Sequence, residues 1–206
     1  RAEGHDWGFS AMCYTCWGAV DPQGGIIIYR ELMGRGWQTD EIAMKILEYR
    51  GSDRVGVTWS DPSLFRGNAR NAYLSTDQVQ HLQEAGALTN TIIDQYRQGG
   101  LGTCQPANNA RLAGKQRIHE MLRARADGVP LLRIMDCCPV LIETLSQIQI
   151  DPKRTEDVIT DYPADAVLRD DPYDALRYLL MGLAGIEKAT TPRTEKLRAT
   201  YSTKGW

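Results

Sequence analysis

The chain has 206 residues, of which 24 are Lys or Arg and 26 are Asp or Glu, so its formal net charge at pH 7 is −2. With 42% hydrophobic residues and no excess of Gly or Pro, the composition excludes a disordered chain and a fibre. No apolar run approaches the ~18 residues that a membrane span needs, and the near-zero charge excludes a protein that coats nucleic acid through its overall charge.

The first half of the chain predicts a hairpin, a helix and a strand. Aromatic and β-branched residues fill Phe9–Trp17 and Gly25–Leu32, and the turn-forming segment Asp21–Gly25 joins them. Asp6 is placed at the start of the first strand. Thr39 is the predicted N-cap of a helix over Asp40–Arg50. A short strand then follows, Val55–Ser60, and stops at Asp61-Pro62-Ser63.

The second half alternates predicted helices with one strand and many turn residues. Three glycines at 99, 100 and 102 and Pro106 indicate a loop. Pro139 opens one helix, which Asp151-Pro152 ends, and Asp171-Pro172 opens the last long helix. The remaining predicted elements are helices over Thr76–Ala85, Asn90–Arg97 and Arg111–Ala126 and a strand over Leu131–Met135. This order predicts an α/β fold with a central mixed sheet that begins with an antiparallel hairpin and is flanked by helices.

The five cysteines predict buried, inert thiols rather than a metal site. An odd number at irregular spacing favours a reducing, cytoplasmic compartment. Cys13 and Cys16 form a C-x-x-C pair, which could be half of a zinc site. On a strand, however, residues three apart point to opposite faces, so their sulfurs would not converge. The common phosphate-loop, dinucleotide, nucleophile-elbow and H-E-x-x-H motifs are absent from the sequence.

Carboxylates at predicted element ends are more informative. Asp6 and Asp61 lie at strand ends, and Asp170, Asp171 and Asp174 open the last helix. If the strands are neighbours and the helix packs across them, the carboxylates converge, and such a cluster suits Mg²⁺ or Mn²⁺. The alternative is structural: Asp171 and Asp174 match an N-cap and a capping-box residue, and Asp61 can start a turn. The spacing of these aspartates in the sequence does not decide between a metal site and a structural role.

Four segments together resemble the nuclease domain of the large terminase subunit of tailed double-stranded-DNA bacteriophages. They are Asp6-Trp7-Gly8, Tyr29-Arg30-Glu31, residues 57–63 and residues 170–178, and the stretch from Asn109-Ala110-Arg111 to Leu141-Ile142 adds to the resemblance. No single motif is specific, but the set covers about residues 4 to 186 in order. The resemblance implies a ribonuclease-H-like fold and a metal-dependent endonuclease that cuts concatemeric viral DNA by a two-metal reaction.

The resemblance also implies which residues form the site. Asp6, Asp61 and Asp171 match the metal ligands, Asp174 is a helper one helical turn later, and Asp170 competes with Asp171 for the third position. Glu31 is expected to support the site rather than bind metal. The predicted DNA contacts are phosphate contacts, made by Arg66, Arg70, Arg111, Lys115 and Arg117.

The family resemblance further implies a chain that works within a larger machine. We expect a nuclease domain over 1–187 and a basic, loosely ordered tail over 188–206. The chain is then the C-terminal part of a protein whose N-terminal ATPase domain, portal and small terminase subunit are its partners in the host cytoplasm, with no membrane. Two alternatives remain: a Holliday-junction resolvase on the same scaffold, and a non-catalytic docking module of a packaging motor.

Overall fold

The computed structural model describes residues 1–8, 12–65, 91–160 and 169–190. Its helices are α1 (Thr39–Arg50), α2 (Ile92–Gln98), α3 (Arg111–Leu122), α4 (Pro139–Gln147) and α5 (Asp171–Thr190). Its strands are β1 (Ala2–Asp6), β2 (Met12–Val20), β3 (Ile26–Arg35), β4 (Val57–Ser60), β5 (Cys104–Pro106), β6 (Leu132–Ile134), β7 (Ile150–Asp151) and β8 (Arg154–Val158).

Within the described ranges, six strands form one mixed sheet in the order β5-β4-β1-β2-β3-β6. Strands β1, β2 and β3 are antiparallel neighbours, whereas β4 pairs in parallel with β1, β5 with β4, and β6 with β3. Strands β7 and β8 form a separate antiparallel hairpin. The predicted α/β class with a mixed sheet is confirmed.

The predicted hairpin is strands β2 and β3. Its turn is stabilised by Asp21, whose side chain accepts hydrogen bonds from the backbone N–H groups of Gln23 and Gly25 at 2.9 and 2.7 Å. Gly24 has φ of 79°, which favours glycine. The placement of Asp6 was wrong, because it ends β1, a separate strand antiparallel to β2, rather than beginning the hairpin.

Helix boundaries differ from the predicted ones where local turns compete with the helix. Helix α1 has Gln38 rather than Thr39 at its N-cap, because the Gln38 carbonyl accepts the first helical hydrogen bond from Ile42. Helix α3 ends at Leu122, four residues before the predicted end, because Ala124 pairs with Pro130 in an isolated bridge. Strand β4 ends at Ser60 as predicted but begins two residues later, at Val57. Helices α4 and α5 begin at Pro139 and Asp171 as predicted, although the N-cap of α5 is Asp170 rather than Asp171, because the Asp170 carbonyl accepts from the backbone N–H of Asp174.

Three short strands were missed. Strand β5 has three residues and lies inside the predicted loop, which included Pro106, and β7 has two residues, so neither strand is long enough to show a period of two. Asp151-Pro152 does not end a helix but begins the β7–β8 turn, in which the Asp151 side chain accepts the backbone N–H of Lys153 at 2.8 Å. The predicted helix over 76–85 lies outside the described residues.

The sheet is covered on both faces, which gives two hydrophobic clusters. Helices α3, α4 and α5 pack on one face, where Tyr14 and Cys16 of β2 join the cluster. Helices α1 and α2 pack on the other face, with Cys13 and Trp17 of β2. Helix α5 runs to Thr190, past the predicted boundary at 187, and residues 191–206 lie outside the described part. No helix of the described part is long and apolar enough to cross a membrane.

Candidate active site

Asp6 and Asp61 lie side by side at one end of the sheet. Strands β1 and β4 are parallel, with His5 opposite Ser60 in the register. The backbone N–H of Asp61 donates a hydrogen bond to the His5 carbonyl at 3.1 Å, which extends the pairing by one residue. The carboxyl ends of parallel neighbours meet at the same edge, so these two distant residues become adjacent.

The alternation along β1 directs Asp6 toward helix α5. Glu3 and His5 point into the α1–α2 layer, where Glu3 accepts two hydrogen bonds from Arg50 and His5 contacts Tyr96 at 3.1 Å. Gly4 therefore lies on the α5 face, and Asp6, two residues later, lies on the same face. The buried partners of Glu3 and His5 thus fix which way the Asp6 carboxylate points.

Helix α5 crosses this face at very close range. A Cβ at Gly4 would overlap the Ala175 carbonyl oxygen, and a Cβ at Gly182 would overlap the Trp59 ring. Helix α5 therefore runs over β1 and β4 with its first turn at the end where Asp6 and Asp61 lie. Asp171 is one turn before Ala175, so α5 presents Asp170, Asp171 and Asp174 to the two strand-end carboxylates.

We call these five residues the acidic cluster: Asp6, Asp61, Asp170, Asp171 and Asp174. Burial raises the pKa of Asp6 well above its ordinary value, and the charges of Asp174, Asp171, Asp61 and Asp170 raise it further. Burial, Asp174 and Asp171 raise the pKa of Asp170 to about 7, although Arg111 opposes the shift. Five carboxylates from three parts of the chain thus form one repulsive site.

Most members of the acidic cluster have donors that compensate their charge. Arg169 donates to Asp171 at 2.7 Å, and Asp174 accepts from Arg111 at 2.7 Å. The Asp61 carboxylate accepts from the backbone N–H and the hydroxyl of Ser63 at 2.8 and 2.7 Å. Among the described residues, Asp6 has neither an ion-pair partner nor a hydrogen-bond donor of this kind, so its charge is the least compensated of the acidic cluster.

The acidic cluster has the residue types that bind a hard divalent cation, but its described side chains are not arranged as a metal site. Carboxylate oxygens are what Mg²⁺ and Mn²⁺ prefer, and a cation would relieve the repulsion that raises the Asp6 pKa. Within 1–8, 12–65, 91–160 and 169–190, however, no three His, Cys, Asp or Glu side chains are arranged to hold a metal as they stand. Arg169, Arg111 and Ser63 engage three of the five carboxylates in the contacts described above. The residue types fit a hard divalent cation.

Comparison with solved structures identifies the fold. The nuclease domain of the P22 large terminase aligns with a TM-score of 0.61 at 12% identity, over 89% of this chain and 80% of that domain. The large terminase of the thermophilic bacteriophage D6E, solved with ADP, aligns with a TM-score of 0.58 at 16% identity. The chain has the fold of a large terminase nuclease domain. The ribonuclease-H-like class that the resemblance implied is therefore confirmed.

The D6E alignment covers 87% of this chain but 38% of the D6E chain, so the chain spans about two fifths of that terminase. A second D6E crystal form gives a TM-score of 0.56 at 16% identity over 89% of this chain and 39% of that one. No protein-family model matches the sequence, and no curated protein matches it either. The terminase nuclease fold is thus evident from the backbone, at identities too low to transfer residue roles.

Glu31 lies on strand β3, and its described contacts are structural. Its carboxylate accepts hydrogen bonds from the backbone N–H groups of Val140 and Leu141 at 2.9 and 3.0 Å and from the Tyr14 hydroxyl at 2.6 Å. It therefore satisfies free N–H groups in the first turn of α4. These contacts join Glu31 to α4 and to β2, so its expected support of the site stays a prediction.

The predicted DNA contacts fall in two groups. Arg66 and Arg70 lie outside the described residues. Arg111, Lys115 and Arg117 all lie on α3. The Lys115 ammonium donates to the Glu156 carbonyl at 2.8 Å, and Arg111 is occupied by carboxylates, so phosphate binding by α3 stays a prediction.

Cys13 and Cys16 belong to different hydrophobic clusters on the two faces of β2. The expectation that their sulfurs diverge is confirmed. Both are buried, as are Cys104 and Cys138, but the prediction of buried thiols was wrong for Cys137, which is exposed just before helix α4. Burial raises the pKa of Cys104 to about 11 and that of Cys138 to about 12. The zinc alternative therefore has no geometric support in these residues.

Sequence reasoning missed two residues that adjoin the acidic cluster. Asp157 of β8 is buried and accepts from Arg111 at 3.1 Å, and the fully buried Arg177 donates to Asp174 at 3.2 Å. Asp157 is in a strand that was not predicted. Arg177 follows Asp174 at helical spacing i, i+3, which is a detectable pattern for an ion pair.

Proposed function

We propose that this chain is a metal-dependent endonuclease that cuts double-stranded viral DNA concatemers during genome packaging. The observation that supports it best is the adjacency of Asp6 and Asp61 under the first turn of α5, on the fold of a terminase nuclease domain. In this proposal Asp6, Asp61 and Asp171 are metal ligands, and Asp170 and Asp174 are alternative or helper ligands.

The residues have distinct tasks in the proposed reaction. Asp6 and Asp61 are fixed by strand pairing and form the rigid side of the site, whereas the α5 carboxylates approach from a helix. Two bound Mg²⁺ or Mn²⁺ ions would supply an activated water and stabilise the charge that develops on the phosphate and on the leaving 3′ oxygen. The protein orients these carboxylates and, through the packing of α5 on β1, holds them at one edge of the sheet.

We propose that substrate and partners follow the same family. The P22 and D6E proteins are large terminases, and the D6E protein was solved with ADP. We infer that the full-length protein has an N-terminal ATPase domain and works in the host cytoplasm with a portal and a small terminase subunit. DNA would be held through phosphates, because a packaging nuclease must cut many sequences.

One observation favours a second candidate, the non-catalytic docking module. Asp171 and Asp174 are ion-paired with Arg169 and Arg111, and no described group of side chains is gathered for a metal. Aspartates that only stabilise the first turn of α5 and bind arginines would make the same contacts as those described here. The experiment therefore has to measure metal binding as well as cleavage.

The test is cleavage of supercoiled plasmid by the wild-type chain in Mg²⁺, in Mn²⁺ and in EDTA. The variants are Asp6→Asn and Asp61→Asn, and the matched control is Asp40→Asn, which changes an exposed aspartate of α1 in the layer across the sheet. We expect metal-dependent nicking by the wild type and the control, and its loss in the two site variants. A four-way junction cut in preference to linear duplex would favour the resolvase instead.

Two results would contradict the proposal. Cleavage that persists in Asp61→Asn, with the variant folded, would place the activity elsewhere. A folded wild type that neither cleaves nor gains thermal stability in Mg²⁺ would favour the docking module, because a bound metal must stabilise the folded state.

A further inference from the structure

We propose that Arg111 is a positioning residue of the acidic cluster, which holds Asp174 and ties strand β8 to the first turn of α5. The consequence for catalysis rests on the proposed nuclease function, whereas the consequence for metal binding is measured separately. Arg111 begins α3, and its guanidinium lies between two carboxylates from different elements.

The contacts of Arg111 define the arrangement. Its Nη1 donates to Asp174 of α5 at 2.7 Å, and its Nε donates to Asp157 of β8 at 3.1 Å. Its Nη2 lies 4.0 Å from Asp170. One planar guanidinium thus links three elements, and a lysine ammonium, with a single nitrogen, cannot reproduce this fork.

A second arginine also connects α3 and α5, but this one belongs to α5 and binds a residue next to α3. Arg177 of α5 donates to Asn109, just before α3, at 2.8 Å, while it also contacts Asp174. The helices can approach because Gly114 leaves room: a Cβ there would overlap the Arg177 side chain. Arg111 and Arg177 therefore hold the Asp174 carboxylate from two sides, and its direction is fixed by packing rather than by solvent.

The positive charge of Arg111 also affects how strongly the acidic cluster can bind a metal. Asp157, Asp170 and Asp174 all face its guanidinium, which compensates part of the charge of the acidic cluster when no metal is bound. A divalent cation that recruits Asp174 has to compete with this arginine. Arg111 therefore stabilises the metal-free arrangement, weakens metal binding, and holds Asp174 at the edge of the acidic cluster.

A DNA contact explains these observations less well. The Arg111 side chain is 24% exposed, and its Nε and Nη1 donors are already bound to carboxylates. The remaining nitrogen, Nη2, makes no hydrogen bond within the described part of the chain but is buried, so a phosphate would have to displace neighbouring groups beside five negative residues to reach it. Positioning requires no rearrangement.

The experiment compares Arg111→Gln, Arg111→Lys and the wild type by thermal denaturation in EDTA and over a Mg²⁺ titration, together with plasmid cleavage. The matched control is Arg125→Gln, which makes the same chemical change at an arginine paired with Asp127 in an exposed turn. We expect Arg111→Gln to lower the Tm in EDTA and to increase the rise in Tm that Mg²⁺ produces. Arg111→Lys keeps the positive charge but has one nitrogen, so it cannot bind Asp157 and Asp174 as the guanidinium does. We expect this variant to keep the wild-type Mg²⁺ response and to lower kcat about tenfold or more. The control should match the wild type in every measurement.

The outcomes separate this proposal from the function on which it rests. A Mg²⁺ response of Arg111→Gln equal to that of Arg125→Gln would overturn it, and so would wild-type kcat in Arg111→Lys. A raised KM for DNA in both variants with an unchanged Mg²⁺ response would assign Arg111 to DNA instead. If the wild type does not cleave but Arg111→Gln alone alters the Mg²⁺ response, the positioning role stands and the nuclease function fails. If Arg111→Gln does not fold, the kcat of Arg111→Lys decides.

Discussion

Asp61 lies directly beside Asp6 because its backbone N–H donates to the carbonyl of His5, the residue before Asp6, at 3.1 Å. The two residues are 55 positions apart in the sequence, and one added rung of a parallel ladder makes them neighbours. Helix α5 then brings three more aspartates to the same place. The main consequence of the pairing is therefore charge repulsion among the five carboxylates.

Asp6→Asn and Asp174→Asn should change metal-free stability in opposite directions. Asp6 has no ion-pair partner among the described residues and is repelled by four carboxylates, so its neutralisation should raise the Tm in EDTA by a few degrees, at about 2–4 °C per kcal/mol for a chain of this size. Asp174 binds Arg111 and the fully buried Arg177, and removing one partner of a buried pair costs about 3–5 kcal/mol. Differential scanning calorimetry in EDTA measures both. Two decreases of equal size would mean that Asp6 has a structural role.

Metal-free stability should fall as pH rises from about 6.5 to 8. The folded pKa of Asp170 is raised to about 7 and that of Asp6 well above the ordinary 3.8, so the folded chain holds protons that the unfolded chain has lost. Stability is therefore lost as these carboxyls ionise. Below pH 6.5 the decrease should be less steep, because the pKa of buried His5 is lowered to about 3, so its protonation in the unfolded chain offsets one of the two protons that the folded carboxyls hold.

Melting temperatures in EDTA across this range test the pH dependence, with the same series in Mg²⁺ as a control. Bound Mg²⁺ favours the ionised carboxylates and should remove the decrease. Asp6→Asn should make the EDTA curve shallower. A wild-type curve that rises between pH 6.5 and 8 in EDTA would contradict the predicted proton uptake.

Gly4→Ala should separate α5 from β1 and weaken the acidic cluster without changing any of its members. A Cβ at Gly4 would overlap the backbone carbonyl of Ala175, which cannot move alone, and overpacking of this kind costs about 1–3 kcal/mol. Gly102→Ala is the control, because its Cβ would meet no atom within 4 Å. We expect a lower Tm and a smaller Mg²⁺ response in Gly4→Ala only. Equal behaviour of the two variants would show that α5 tolerates displacement.

The five thiols should react with an alkylating reagent in two stages. Cys137 is exposed, whereas Cys13, Cys16, Cys104 and Cys138 are buried. Iodoacetamide should modify Cys137 in the native protein and the other four after unfolding, which mass spectrometry of peptides can follow. Elemental analysis of the purified protein should find no stoichiometric zinc. Protection of Cys13 and Cys16 that is lost with a chelator would revive the zinc alternative.

Much of the fold was predictable because its signals are local. The Asp21 turn, the Pro139 helix start and the Asp171-Pro172 opening each depend on residues within one turn of chain, and all three were predicted correctly. The family resemblance added the ribonuclease-H-like fold to the α/β class that the order of elements predicted. Strands β5 and β7 were missed because two or three residues show no periodicity, so their pairing partners decide their conformation.

The sequence by itself determined the candidate aspartates, the opposite faces of Cys13 and Cys16 and the α/β class, because strand ends, helix openings and alternating faces follow from local chemistry. Only the tertiary structure decided which carboxylates are compensated and by which donors. Arg111 reaches Asp157 and Asp174 across 46 and 63 residues, and the direction of Asp6 depends on what Glu3 and His5 bury on the opposite face. Such contacts have no sequence period, since long-range ion pairs depend on how helices and strands pack and not on the spacing of residues along the chain.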